Sequence, residues 1–231
     1  MKIGIIGSGN VAQTLGDKLL EVGHEVMISA RDLDAEKVGG FGTTPSANAW
    51  VAAQREKGHA GAAAGSAAQT AAFGELLINA TSGVSSLDAL AAADRGDIEG
   101  KVMIDLSNPL DFSSGMPPTL AFCNTESLGE RIQAAYPGAK VVKALNTVSV
   151  AVMVAPDALP DETDLLVAGN DPDAKRFVID EVLKGWLGWR RVIDLGDISN
   201  ARGTEMYLPL WVRLFGITQT PLLNIKVVSA S

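Results

Sequence analysis

Two glycines and an alanine follow the first apolar stretch of the chain at a spacing that suits phosphate binding. The segment Lys2–Ala12 reads KIGIIGSGNVA and continues into apolar residues at helical spacing. In a G-x-G-x-x-A turn, Gly7 would make the tight turn, Gly9 would let a ligand approach the backbone, and Ala12 would let the helix pack closely on the sheet. Unpaired N–H groups at the helix start attract an anion. The pattern predicts a turn that binds a dinucleotide pyrophosphate.

The residues after the second apolar stretch indicate which dinucleotide would bind. Ser29-Ala30-Arg31 follows the predicted strand Glu25–Ile28, where an NAD site usually has an acidic residue that binds the ribose 2′-hydroxyl. A hydroxyl and a guanidinium group instead suit a 2′-phosphate, which a carboxylate would repel. Asp32 could reach a ribose, although we favour a helix N-cap for it. Ser29 and Arg31 therefore predict NADP rather than NAD.

The rest of the chain predicts a β-sheet that would position these residues. Strand patterns alternate with helical patterns, as in a parallel sheet with helices on both faces. The later predicted strands lie near Leu76–Ala80, Val102–Leu106, Val141–Leu145, Asp164–Ala168 and Arg191–Leu195. The expected fold class is α/β, a Rossmann-type doubly wound parallel sheet with a small C-terminal α/β extension. We expect an NADP-binding domain at 1–150 and a small C-terminal part at 151–231 that packs on it.

Three further stretches carry helix or loop patterns. Gly39–Ala72 is small, polar and rich in alanine, and we expect one or two helices and a short strand there. Pro172–Gly185 predicts a helix with Asp171 as its N-cap. Ser199–Gly216 predicts another helix, which Pro209 would bend or break.

Small polar residues follow three of the predicted strands. In parallel sheets, ligands bind beyond the carboxyl ends of the strands. The segments that fall there are Thr81-Ser82-Gly83, Ser107-Asn108-Pro109-Leu110 and Asn146-Thr147-Val148-Ser149. They suit ribose hydroxyls and a carboxamide, or they simply cap the following helices. No general acid or base is evident, because Lys143 lies inside a strand and His59 in the loop-rich stretch, so the site is suited to aligning two hydride carriers.

Charge and cysteine content exclude several classes of partner. The net charge of −8 and the pI near 4.8 argue against nucleic acid and anionic membranes as partners. Cys123, the only cysteine, excludes an internal disulfide and a cysteine-rich metal site, and we expect it to be a small buried residue in a reducing cytoplasm. The predicted first strand leaves no room for a signal peptide, and no apolar run reaches the roughly 18 residues of a membrane span. We therefore expect a cytoplasmic protein.

Six longer segments carry a family resemblance over almost the whole chain. They are GIIGSGNVAQTLG, ISARD, LINATSG, DLSNPL, VVKALNTVS and DLGDISNARGTEMYLPLWVRLFG. These segments resemble the NADPH-dependent coenzyme F-420 reductases (F-420H2:NADP oxidoreductases) and the related soluble oxidoreductase domain of six-transmembrane metalloreductases. VVKALNTVS and the last segment are much more specific than the glycine motif. In this family the serine and arginine after the second strand are usually adjacent, whereas Ala30 separates them here.

The resemblance implies hydride exchange between NADP(H) and a deazaflavin or flavin that lies face to face with the nicotinamide. The co-substrate would be coenzyme F-420, FMN or FAD. The implied NADP ligands are Gly7, Ser8, Gly9, Asn10, Val11, Ser29, Arg31, Thr81, Ser82, Asn108, Ala144 and Asn146. Asn146 and Thr147 would lie near the reacting rings, and no catalytic acid or base and no metal ligand is assigned.

Two other functions remain open. A 6-phosphogluconate dehydrogenase or imine reductase would share the N-terminal half but continue into a long helical domain, whereas strand patterns continue here after Leu145. A non-catalytic NADP-binding redox sensor would bind NADPH without oxidising it.

The C-terminal helical pattern is unusually rich in large apolar side chains. They are Met206, Tyr207, Leu208, Leu210, Trp211, Leu214 and Phe215. These side chains could complete the core, cover the ring of a small-molecule redox acceptor, or form a patch that a monomer rarely leaves exposed. We predict a homodimer with this helix and the segment Thr218–Leu223 at the contact, since twofold assemblies are common.

Overall fold

The computed structural model describes residues 1–39 and 42–230 and has an α/β fold. Its strands are β1 (Lys2–Ile6), β2 (Glu25–Ser29), β3 (Lys37–Gly39), β4 (Gly42–Thr44), β5 (Ala62–Gly65), β6 (Leu76–Asn79), β7 (Val102–Asp105), β8 (Leu110–Asp111), β9 (Thr119–Leu120), β10 (Lys140–Lys143), β11 (Asp164–Gly169) and β12 (Arg191–Asp194). Its α-helices are α1 (Asn10–Glu21), α2 (Ala47–Glu56), α3 (Ala67–Phe73), α4 (Ser86–Ala91), α5 (Leu128–Ala135), α6 (Val150–Val154), α7 (Pro172–Phe177), α8 (Ala201–Met206) and α9 (Leu208–Thr218). Short 3₁₀ turns and a π-helix at Val178–Trp186 complete the described elements.

Within the described residues, eight strands form one sheet in the order β12-β11-β10-β7-β6-β1-β2-β5. The strands β5, β2, β1, β6, β7 and β10 are mutually parallel, which confirms the Rossmann-type fold class. The expectation of a wholly parallel sheet is wrong at β11, which runs antiparallel to β10. The connection from β10 to β11 contains only the short helix α6 and a 3₁₀ turn, and the chain re-enters the sheet from the carboxyl end of β10, which makes the two strands antiparallel.

Helices cover both faces of the sheet, so the central strands are largely apolar until their carboxyl ends. Ile3 and Ile5 of β1 and Leu77 of β6 are completely covered. The helix α1 turns Ala12, Leu15 and Leu19 toward the sheet, because these residues recur at helical spacing. The core therefore fixes where each strand ends, and with it the positions of the polar residues that follow.

The predicted elements outside the central strands are mostly confirmed. The stretch 39–72 contains α2, β5 and most of α3, and residues 40 and 41 of it lie outside the described residues. The Asp171 carboxylate accepts a hydrogen bond from the Ala174 N–H at 2.8 Å, so the predicted N-cap is confirmed. The predicted break near Pro209 is also confirmed, because α8 ends at Met206 and Pro209 lies in the first turn of α9.

Two single residues show how the loops pack. Cys123 is exposed, so the expectation of a buried position is wrong; the residue lies in an irregular loop between β9 and α5. The ring of His24 lies 4.2 Å from the ring of Trp186, so His24 packs against the π-helix. None of the helices in the described part of the chain has the length and hydrophobicity of a membrane span.

Candidate functional site

The glycine turn between β1 and α1 is held by the ends of two neighbouring strands. Gly7 has a φ of 127°, and a Cβ there would lie 2.6 Å from the carbonyl oxygen of Ala80, which follows β6. The Gly7 N–H donates to the Ser29 hydroxyl at 2.9 Å, and the Ser29 N–H donates to the Gly7 carbonyl at 3.2 Å. The turn is therefore fixed between the carboxyl ends of β2 and β6.

The first turn of α1 is open to a ligand. Gly9 is its N-cap, no side chain caps the helix, and no acidic residue lies in the first turn. A Cβ on Gly9 would meet no atom of the described residues within 4 Å, so this part of the chain leaves space in front of the turn. Uncapped N–H groups and the positive end of the helix dipole attract an anion. Of the predicted ligands here, Asn10 is exposed, Val11 is partly buried and Ser8 is buried.

Gln13 supports the same turn, although no sequence motif predicts this role. Its side-chain amide donates to the Ser8 carbonyl at 3.1 Å and to the Pro45 carbonyl at 2.8 Å. One buried amide thus ties the glycine turn to the segment before α2. The glutamine carries no recognisable motif, and only the position of Pro45 in space reveals its role.

Two cationic side chains follow β2 and influence each other electrostatically. Partial desolvation lowers the pKa of Lys37, and the charge of the exposed Arg31 lowers it further. The Ser29 hydroxyl oxygen accepts the Gly7 N–H, which leaves its own proton free to be donated. A 2′-phosphate is the kind of group that two neighbouring cations and a hydroxyl would bind. The sequence does not predict a phosphate-binding role for Lys37, because no pattern in the loop between Arg31 and Lys37 indicates that their charges interact.

Asp32 does not cap a helix, so that expectation is wrong. Its carboxylate accepts a hydrogen bond from the Asp34 N–H at 3.0 Å within a bend, and the next helix, α2, begins at Ala47. The Asp34 carboxylate in turn accepts from the Asn48 side-chain amide at 2.8 Å. The acidic residues here are used to shape the loop.

Beyond β6, the predicted ligands differ in their exposure. The Thr81 hydroxyl lies 2.7 Å from the Asn79 side-chain oxygen and 2.7 Å from the Ser86 hydroxyl, so it belongs to a partly buried polar network. Ser82 is exposed and caps no helix. Gly83 lies so close to the next strand end that a Cβ would be 1.9 Å from the Asn108 carbonyl oxygen. The loop after β6 is therefore pressed against the loop after β7.

The loops after β7 and β10 are joined through two amide side chains. The Asn108 side-chain amide donates to the Asn146 carbonyl at 2.9 Å, and the Asn146 side-chain amide donates to the Asn108 side-chain oxygen at 2.9 Å. The Asn146 side-chain oxygen is buried and has no hydrogen-bond partner among the described residues. Buried acceptors are rarely left unpaired, so this atom suits a donor on a ligand.

The backbone beside this pair is strained. Leu145 has a φ of 63°, in the left-handed region that leucine seldom adopts. Such conformations concentrate where function requires a particular geometry. Its neighbours Ala144 and Thr147, which the resemblance connects with the cofactor and the reacting rings, are almost completely covered in the structure. The sequence gives no signal of this strain, because no sequence pattern predicts a positive φ at a leucine.

A buried ionic cluster lies directly beneath these loops. The Lys143 ammonium group donates to the Asp105 carboxylate at 2.8 Å, to the Glu205 carboxylate at 2.8 Å and to the Ser107 carbonyl. Burial alone would lower the pKa of Lys143, but the charges and hydrogen bonds of Asp105 and Glu205 together raise it. We name these three side chains the Lys143 cluster. The sequence predicts Lys143 inside a strand but not its ion pair with Glu205, because the two residues are far apart along the chain.

The C-terminal helices carry apolar surface and unpaired polar atoms. Leu210 and Ile217 of α9 are 54% and 81% exposed, and only Leu208 of this helix is buried. Trp211 stacks on Phe215 with their ring centres 5.7 Å apart. In the part of the chain that the structure describes, the buried Tyr207 hydroxyl and Trp211 indole N–H have no hydrogen-bond partner, and burial raises the pKa of Tyr207.

Two curated proteins are similar to this chain. A family model described as coenzyme F420-dependent NADP oxidoreductase matches residues 2–109. The F420-dependent NADP reductase of Methanocaldococcus jannaschii is 35% identical over 119 residues, which span 51% of this chain and 52% of that protein. Rat metalloreductase STEAP3 is 27% identical over 214 residues, which span 91% of this chain and 38% of that protein. The chain thus aligns with about half or less of the length of these curated relatives.

Solved structures extend the similarity to the whole chain. A candidate F420-dependent NADP reductase from Arthrobacter sp. FB24 is 43% identical, with a TM-score of 0.89 over 99% of this chain and 100% of that one. A reductive aminase from Aspergillus terreus is 17% identical, with a TM-score of 0.61 over 94% of this chain and 62% of that one, and shares the fold alone. The chain belongs to the family of coenzyme F420-dependent NADP oxidoreductases.

Proposed function

We propose that the protein transfers a hydride between NADP(H) and a deazaflavin or flavin, with coenzyme F-420 as the first candidate and FMN or FAD as the others. The observation that carries the proposal is the Asn108–Asn146 pair, with its unpaired acceptor, at the carboxyl ends of adjacent strands. Full-length similarity to a candidate F420-dependent NADP reductase supports the choice of acceptor.

The residues present fit a bound NADP(H). The open, uncapped start of α1 suits the pyrophosphate, and the free space at Gly9 leaves room for it. The unpaired Asn146 oxygen suits the amino group of the nicotinamide carboxamide. Bound there, the cofactor would supply the hydride, and the loops after β6, β7 and β10 would hold its ring.

Discrimination between NADPH and NADH would come from Arg31, Lys37 and the Ser29 hydroxyl. The two cations lie close enough for Arg31 to lower the pKa of Lys37. A dianionic 2′-phosphate would relieve that repulsion, whereas a ribose hydroxyl would not. We therefore assign both cations to the 2′-phosphate.

Catalysis would rest on positioning rather than on acid–base chemistry. The titratable groups nearest the strand ends belong to the Lys143 cluster, which is buried, and the ammonium group has three hydrogen-bond acceptors. A hydride can pass directly between two rings held face to face, and the proton that completes the reduced acceptor would come from water, so the hydride step itself needs no acid or base from the protein. Asn146 and Thr147 would lie beside the reacting rings.

The C-terminal part would have two tasks. We assign NADP binding to residues 1–150, and the acceptor site and a homodimer contact to residues 151–231. The exposed apolar side chains of α9 support the contact, because monomers seldom leave such a helix uncovered. The exposed free thiol of Cys123 suits a reducing compartment, and we propose the cytoplasm.

Anaerobic oxidation of NADPH tests the proposal. Coenzyme F-420, FMN, FAD and a ferric chelate are offered in parallel, together with an imine, and the absorbance of NADPH is followed. We expect the deazaflavin or a flavin to be reduced fastest. Oxidation only with the imine would favour an imine reductase, and tight NADPH binding without oxidation by any acceptor would favour a redox sensor. Failure to bind NADPH would overturn the proposal.

A further inference from the structure

The Lys143 cluster carries one more negative charge than positive charge. The Glu205 carboxylate accepts hydrogen bonds from the Leu128 and Gly129 N–H groups at 2.8 and 3.0 Å, and from the Lys143 ammonium group. Each of these partners can only donate, so Glu205 is ionised.

The Asp105 carboxylate is ionised as well, because three of its partners can only donate: the Asn79 side-chain amide at 2.9 Å, the Ser107 N–H at 3.1 Å and the Lys143 ammonium group at 2.8 Å. It also accepts from the Ser107 hydroxyl at 2.5 Å. Two carboxylates and one ammonium group therefore sum to a charge of −1 at a place where all three side chains are almost completely buried.

No other cation in the described residues forms an ion pair with these carboxylates. Arg131, the next cation along α5 whose charge interacts with Glu205, is paired with Glu126 at 2.7 Å. Arg202 is paired with Glu130 at 2.6 Å. These outer pairs are neutral as pairs and more exposed, so neither arginine forms an ion pair with the carboxylates of the cluster.

The cluster is connected to the amide pair that would hold the nicotinamide. Lys143 donates to the carbonyl of Ser107, the residue directly before Asn108, and it lies at the end of the strand that leads to Asn146. Charge in this buried position acts through protein rather than through water, so its field on the strand ends is weakly screened.

We propose that the net negative charge of the Lys143 cluster strengthens the binding of NADP⁺ relative to NADPH. The two cofactor forms differ by the positive charge of the oxidised nicotinamide ring, and a negative potential at the strand ends stabilises only that form. The inference rests on the proposed function, because it requires the nicotinamide to lie at the Asn108–Asn146 pair. It makes Glu205, a residue of the C-terminal helices, a determinant of the cofactor's redox preference.

The test compares the ratio of dissociation constants, Kd(NADP⁺)/Kd(NADPH), in matched variants. Glu205→Gln brings the cluster charge to zero, whereas the double variant Lys143→Met/Glu205→Gln alters the same contacts but restores a charge of −1. NADPH binding is measured by fluorescence and NADP⁺ binding by displacement of NADPH. We expect the single substitution to raise the ratio by roughly three- to tenfold, the effect of one charge through protein over about 10 to 15 Å. The double variant should return the ratio toward that of the wild type.

A second pair of variants guards against a folding defect. Asp105→Asn also gives a charge of zero, and Lys143→Met/Asp105→Asn also gives −1; circular dichroism identifies which variants fold. An unchanged ratio in a folded neutral variant would overturn the inference, as would equal shifts in a single variant and its charge-restored partner. If the wild type binds neither cofactor form, the proposed function fails instead, so the two failures are distinguishable.

Discussion

Asn108 and Asn146, 38 residues apart in the chain, hydrogen-bond through their side chains across the carboxyl ends of β7 and β10. One N–H of the Asn108 side-chain amide donates to the Asn146 backbone carbonyl, and one N–H of the Asn146 side-chain amide donates to the Asn108 side-chain oxygen. The only unpaired hydrogen-bonding atom that the pair leaves buried, among the described residues, is the Asn146 side-chain oxygen. The pair can thus fix a donor on a ligand with a rigid, neutral acceptor.

Replacing Asn146 with alanine should reduce turnover more than cofactor binding. The pyrophosphate and 2′-phosphate contacts would remain, while the ring would lose its anchor, and small misplacements of a reacting group cost up to about 100-fold in rate. We expect kcat to fall by roughly 10- to 100-fold and the Kd of NADPH to change by less than about fivefold. Asn48→Ala, at an exposed asparagine that contacts Asp34, serves as the control. Equal effects on kcat in both variants would contradict the assignment.

The protein should bind NADPH at least about tenfold more tightly than NADH, which corresponds to ~1.4 kcal/mol from a charge-assisted phosphate contact. Arg31→Ala should remove most of that preference, and Lys37→Ala a smaller part. Arg176→Ala, which removes an exposed arginine paired with Asp173 on α7, should leave the preference intact. Fluorescence titration measures both affinities. A preference that survives the loss of Arg31 would rule out this phosphate site.

Reduction of the acceptor should proceed by direct hydride transfer without an essential titrating side chain. Deuterium on the transferred position of the nicotinamide should appear in the reduced acceptor without exchange with solvent, as mass spectrometry would show. His59→Asn should keep the wild-type rate. His59 lies in the turn that enters β5, so it is at the amino ends of the parallel strands, whereas the candidate site is at their carboxyl ends. Washing out of the label, or inactivity of a folded His59 variant, would mean that a protein group takes part in proton transfer.

Gly83→Ala should destabilise the protein, because its new Cβ would lie 1.9 Å from the Asn108 carbonyl oxygen. Backbone atoms cannot move aside cheaply, so we expect a loss of about 1–3 kcal/mol in the free energy of unfolding. Gly203→Ala is the matched control, since its Cβ meets no atom within 4 Å and the residue lies inside a helix; it should be neutral or stabilise by up to about 1 kcal/mol. Urea denaturation measures both. Equal stabilities would show that the two loops are not in contact.

The protein should be a homodimer whose contact includes α9. Light scattering at roughly 50 μM should give twice the mass of the chain. Leu210→Glu and Ile217→Glu introduce charges at exposed positions of α9 and should yield monomers, whereas Val84→Glu, at an equally exposed apolar residue elsewhere, should not. A charge at Trp211 or Phe215 should have the same effect as one at Leu210. A monomeric wild type, or a dimer that tolerates these charges, would remove the proposal.

The sequence determined the parts of this protein that depend on neighbouring residues. The turn at Gly7 follows from local backbone geometry, because a φ of 127° is readily adopted by glycine alone. The strands β6, β7 and β10 follow from short apolar runs between loops, and the cap at Asp171 from one carboxylate before a proline. These features could be predicted because each is decided within a few residues of chain.

The tertiary structure decided what depends on distant residues. The antiparallel course of β11 follows from how the chain returns after β10, and the exposure of Cys123 from where its loop runs. The joining of Asn108 to Asn146 follows from the register of two strands, and that of Lys143 to Glu205 from the packing of α8 against α5. Side chains far apart in sequence have no local pattern in common, so only the folded core, which fixes where each strand ends and which helix covers it, can bring their charges and hydrogen bonds together.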